Sequence, residues 1–155
     1  MDHDPSHDPH GHPPPAAASS LSATAWSATL HCLTGCAIGE VLGMAIGTSL
    51  SWSNAATIAV YVVLAFFFGY LLTLRPLLRR MSFAAAARLA LAADTVSIAV
   101  MEVVDNAIML VIPGAMDAPL DSALFWGSLA VALALAGLAA FPVNRWLIAR
   151  GKGHA

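Results

Sequence analysis

The sequence predicts an all-α membrane protein, four transmembrane helices in an up-down antiparallel bundle, with a disordered N-terminal tail. Three observations lead there. Of the 155 residues, 59% are apolar and only 10% are charged, whereas a soluble domain carries about 25% charged residues to cover its core. The apolar residues gather in four segments, each close to or longer than the ~20 residues a helix needs to cross ~30 Å of hydrocarbon. These segments are rich in Ala and Leu and lack the period-two alternation of a membrane strand. The same composition excludes other classes. A net charge of −2 is at odds with a nucleic-acid binder acting through a basic surface. Two cysteines in one apolar stretch do not make a disulfide-scaffolded secreted domain.

Residues 1–22 are rich in His, Asp and Pro, with His3, His7, His10 and His12 among them. Such a stretch buries too little to offset its ordering entropy and reads as a disordered tail. It carries no Lys or Arg ahead of the first apolar run, so it is not a secretory signal. The spans are expected at about 24–50, 55–74, 83–112 and 123–141, followed by a short tail at 151–155. Arg75, Arg79, Arg80 and Arg88 cluster around the second connection, and Arg145, Arg150 and Lys152 follow the fourth span. The connections 51–54 and 113–122 hold no cation, so the positive-inside bias places both termini in the cytoplasm. Trp26, Trp52, Trp126 and Trp146 fall near span ends, where an interfacial aromatic belt belongs. The short connections favour antiparallel neighbours.

The second and fourth spans carry no acid or base and read as helices that pack and face lipid. The first and third differ. In HCLTGCAIGEVLGMAIG, Gly35, Gly39, Gly43 and Gly47 recur every four residues and form one stripe, a pattern that lets two helix backbones approach closely in lipid. Beside it Cys32, Cys36, Glu40 and Met44 form a second stripe of sulfur and carboxylate, with His31 one position away on the glycine side. In the third span Asp94, Met101, Glu102, Asp105, Asn106 and Met109 share one broad arc. A charged group at bilayer depth costs at least ~2.5 kcal/mol on insertion scales, so these acids are expected to face the protein interior or water. Counting inward at ~1.5 Å per residue puts Glu40 and Glu102 about 15 Å deep, near the midplane, and Cys32 level with Asp94. No Lys or Arg lies at that depth, so the acids need protons, hydrogen bonds or a bound cation.

These residue types suggest a transition-metal site. Thiolates and thioethers select soft ions such as Cu(I), and Cys, His and carboxylate also suit Zn(II). The candidate ligands are His31, Cys32, Cys36 and Glu40, or Asp94 in place of Glu40, with Met44 and Met101 as weaker thioether partners; the His-rich tail is a candidate arm for the same ion. Against this stand packing roles for the cysteines and methionines. An enzyme is the least supported class, because no nucleophile triad, phosphate loop or zinc-protease helix is present.

HCLTGCAIGEVLGMAIG together with MEVVDNAIML resembles a bacterial family of small four-helix integral membrane proteins classed as a domain of unknown function, the DUF4396 type. The resemblance covers about 24–148 and is most specific at His31-Cys32, Gly35-Cys36 and Gly39-Glu40. It implies the four-helix fold and a bacterial inner-membrane location, and names no substrate. Some members occur beside metal-handling proteins, which lends the metal reading associational support. Three functions are therefore expected to compete: binding or moving a copper or zinc ion; a proton-coupled carrier or channel using the buried acids; and a non-transporting subunit, or a homodimer, docked through the glycine stripe.

Overall fold

A computed structural model describes residues 15–151, with side chains from residue 20 onward. The chain forms α1 (Pro15–Ser49), α2 (Asn54–Leu77), α3 (Phe83–Val111) and α4 (Ala123–Ala149), and no strand occurs among the described residues. All four helices are long and apolar enough to cross a membrane, so this is a multi-pass membrane protein in contact with lipid.

Two boundaries differ from expectation. Helix α1 begins at Pro15 and takes in residues 15–22, which the sequence reading gave to the tail. Proline is suited to a first helical position, and the Ala16, Ala17 and Ala18 that follow are the strongest helix formers. The rest of the tail, residues 1–14, and residues 152–155 lie outside the described residues. Helix α4 continues past 141 through Pro142 to Ala149. Pro142 removes one backbone donor, but beyond it Asn144 and Leu147 are buried, and Asn144 Nδ2 donates to Thr29 Oγ1 of α1 at 2.8 Å. Ser53 and Ser122 start α2 and α4 by accepting from the N–H groups of Ala56 and Phe125, the usual service of an N-cap hydroxyl.

Helix α1 touches the other three helices, whereas α2 and α4 do not touch each other. The α1–α3 contact is thus the short diagonal of the bundle. The tightest seam is α1 against α2. A Cβ built on Gly35 would stand 2.6 Å from the Gly69 Cα, and one on Gly39 2.5 Å from the Ala65 Cα. One on Gly43 would stand 2.6 Å from the Tyr61 Cα, and one on Gly47 2.6 Å from the Thr57 Cγ2. Each step of four along α1 is matched by a step of four back along α2, as an antiparallel pair requires. This corrects the docking role expected of the stripe. Gly35, Gly39, Gly43 and Gly47 are filled by α2 of the same chain, so neither a second copy nor a partner helix can use them without displacing α2.

The connection 78–82, the start of α1 and the end of α4 lie at one end of the bundle, where Arg75, Arg79, Arg80, Arg145 and Arg150 are all exposed. At this Arg-rich end Trp26 stacks on Phe141 (centroids 4.8 Å apart) and Arg150 lies over the Trp146 ring. Trp52 and Trp126 are half exposed at the opposite end.

Candidate functional site

The site lies along the short diagonal, where one face of α1 meets one face of α3. The two helices run in the same direction, so residues at matching depth differ by a nearly constant number: Cys32 meets Asp94 and Cys36 meets Met101. Nearest the Arg-rich end, the Cys32 thiol donates to Asp94 Oδ1 at 3.7 Å, with Ser97 beside it. One turn deeper, Cys36 Sγ stands 4.0 Å from Met101 Sδ, with Glu102 against the same thiol. Here Cys32, Cys36, Ala65, Ile98, Met101, Ala136 and Ala140 form an apolar collar. Beyond it Glu40 faces Asp105 and Glu102 together.

Asp94, Glu40, Asp105 and Glu102 are only 1, 2, 2 and 4% exposed. No backbone N–H, amide or hydroxyl reaches either carboxyl oxygen of Glu102, either of Asp105 or Oε2 of Glu40; Glu40 and Asp105 have each other as side-chain partner, and Glu102 has the Cys36 thiol. Every described Arg is exposed, and no Lys or Arg is among the buried residues. Three carboxyl groups gathered without a basic side chain in a low-dielectric interior cannot all stay ionised unless something positive lies between them. Such a cluster can take up protons or a cation.

Helix α2 also contributes. The Tyr61 hydroxyl donates to Asn106 Oδ1 at 2.5 Å, and Asn106 Nδ2 donates to the Glu102 carbonyl at 2.7 Å. Tyr61 is buried and lies within electrostatic reach of Glu40, Glu102 and Asp105. From its sequence α2 is expected only to pack and face lipid. Tyr61 is the residue that expectation missed, and the signal was present, because a buried tyrosine hydroxyl must find a partner. Away from the Arg-rich end the cluster is closed by Met44, Tyr61, Ala118, Phe125 and Leu129. The connection 112–122 folds inward there, burying Ala115 and Ala118.

The residues singled out from sequence fall into three groups. Cys32 with Asp94, Cys36 with Met101 and Glu102, and Glu40 with Asp105 and Asn106's partner Glu102 come together along the diagonal. Met44 and Met109 are buried in other apolar clusters. His31 does not join the column; it is half-buried in the α1–α2 seam, in a cleft with Thr24, Ser27 and Thr73. Among the described residues no group of three or more His, Cys, Asp or Glu is placed to hold a metal ion. Donors four apart on α1 are stacked about 6 Å along the helix axis, so Cys32 meets Asp94, Cys36 meets Met101 and Glu102, and Glu40 meets Asp105 and Glu102 at successive levels.

No curated protein and no solved structure matches the chain. A family described as "Domain of unknown function (DUF4396)" matches residues 22–153, which takes in all four spans and every member of the column. The chain belongs to the DUF4396 family.

Proposed function

We propose that this protein conducts protons through its interior by way of the carboxyl cluster Glu40, Glu102 and Asp105, as a proton-coupled carrier or channel whose Arg-rich face is cytoplasmic. The observation that carries the reading is the burial of three carboxyl groups midway along the helices, where one another and a thiol are their side-chain partners and no described Lys or Arg is buried beside them. Ionisable groups in that position mark proton and ion pathways. Asp94 and the Cys32 thiol lie toward the Arg-rich end, the cluster lies at the middle, and the Tyr61 and Asn106 pair holds the cluster's far side.

The test is proton flux into vesicles containing the purified protein, read with a pH-sensitive dye. Glu40→Gln and Glu102→Gln are expected to lower the flux by about tenfold or more. Cys32→Ser/Cys36→Ser keeps a hydroxyl where each thiol stood and is expected to retain it. Flux unchanged in both acid variants would overturn the proposal.

A second reading, binding or movement of a soft transition-metal ion such as copper(I) or zinc, is favoured by one contact. Cys36 Sγ, Met101 Sδ and the Glu102 carboxyl meet at one level, and a thiolate with a thioether suits Cu(I). Elemental analysis of protein purified without chelator separates the readings. Copper or zinc near one equivalent that is lost in Cys36→Ser and Met101→Leu supports the metal, and none in the wild type rejects it.

A further inference from the structure

The glycine register of the α1–α2 seam breaks at the Arg-rich end. After Gly47, Gly43, Gly39 and Gly35 have met Thr57, Tyr61, Ala65 and Gly69, the next pair in the same register is His31 opposite Thr73. An imidazole now stands where a bare backbone stood one turn before, so the two helices cannot keep their close approach. Three residues further along α2, Pro76 lies inside the helix and offers no N–H to the Leu72 carbonyl. The helices part, and a cleft of about 240 Å³ opens between them, lined by Thr24, Ser27, Ala28, His31, Thr73, Pro76 and Leu77. Four of those seven residues carry a polar side chain, and of these the Thr24 hydroxyl already donates to the Ser20 carbonyl at 3.0 Å. At the floor, Thr73 is 2% exposed and its Oγ1 has no hydrogen-bond partner. A buried hydroxyl without a partner, at the wall of a cleft large enough for several water molecules, calls for a water to hydrogen-bond it.

We propose that this cleft is an aqueous vestibule that admits water and small hydrated cations from the Arg-rich side, with Thr73 and His31 forming its floor. Cys32, the first member of the polar column, follows His31 directly in α1 and turns to Asp94 of α3 while His31 lines the cleft. At the other end of the same seam a cleft also exists, lined by Gly47 and Thr57 among others, with the buried Met44 and Tyr61 packed together on the same seam. The role as an entrance rests on the proton-conducting reading of the column; the presence of water in the cleft does not.

The experiment measures modification of single cysteines by 2-(trimethylammonium)ethyl methanethiosulfonate, a small membrane-impermeant cation, in sealed vesicles of a Cys32→Ser/Cys36→Ser background. Ser82→Cys in the Arg-rich connection identifies which face is outward. Thr34→Cys, exposed on the apolar side of α1 beside Leu30 and Leu33, reports the reactivity of a thiol in lipid. Ser27→Cys and Thr73→Cys are expected to react from the Arg-rich face at least about tenfold faster than Thr34→Cys, because only a hydrated thiol ionises and attacks. Rates for both no faster than that of Thr34→Cys, or equal rates from the two faces, would overturn the vestibule. Adding Glu102→Gln is expected to leave the labelling intact, so loss of proton flux with retained labelling would bear on the column alone.

Discussion

The carboxyl group of Asp105 is buried, no backbone, amide or hydroxyl donor reaches either oxygen, and its side-chain partner is another acid, Glu40. A group held this way weakens the fold, since a buried polar atom without such a donor forfeits about 1–3 kcal/mol relative to its solvated state. Residues that break the local rules of packing without a structural return are found at functional sites. Asp105→Asn removes the ionisable group while keeping its shape. We expect it to raise stability in detergent by about 1 kcal/mol, the trade-off seen when active-site strain is relieved, and to lower proton flux at the same time. Thermal unfolding followed by circular dichroism, beside the vesicle assay, checks both halves. A variant less stable than the wild type would show that Asp105 serves the fold and not the site.

Among the elements, α1 is the organising helix, and its two stripes do separate work. The sulfur and carboxylate stripe faces α3, while the glycine stripe faces α2. The stripe's value is local closeness, which a single methyl group abolishes. In Gly39→Ala the new Cβ would lie 2.5 Å from the Ala65 Cα and 2.7 Å from the Leu64 carbonyl carbon, backbone atoms that cannot rotate aside. Overpacking of this kind costs about 1–3 kcal/mol, and the unfolding midpoint is expected to fall accordingly. Gly127 on α4 is the control, because a Cβ there would meet nothing within 4 Å. Gly127→Ala is expected to be neutral or to stabilise by up to about 1 kcal/mol through helix propensity. Equal effects at the two positions would remove the close α1–α2 approach from the account.

The whole molecule is asymmetric along the membrane normal. At the Arg-rich end the α1–α2 seam opens into the cleft beside His31 and Thr73, whereas at the opposite end the inward-folded connection 112–122 packs Ala118 against Met44, Tyr61, Phe125 and Leu129. Asn54 and Asp117 join the two connections of that end through a hydrogen bond of 3.4 Å. A single cysteine placed at Met44, 3% exposed beneath this cover, is expected to stay unreactive toward the impermeant reagent from the face opposite the arginines. Rapid modification from that face would mean that the cover opens and that access is two-sided.

The four spans, their antiparallel order and the matched depth of Glu40 with Glu102 were legible in the chain itself. Hydrocarbon thickness fixes the length of a crossing segment, and an acid placed mid-span has to turn inward wherever its neighbours lie. Helix periodicity also showed the two stripes of α1, because residues four apart share a face in any α-helix. What periodicity does not reveal is which helix each face meets. Only the packed bundle decided that the glycines pair with Thr57, Tyr61, Ala65 and Gly69, that His31 leaves the column for the seam, and that Tyr61 from an apolar span reaches Asn106. Those outcomes depend on the rotation of four helices about their own axes and on which diagonal is short, and in a four-helix bundle these quantities are set by side-chain packing between segments far apart in sequence.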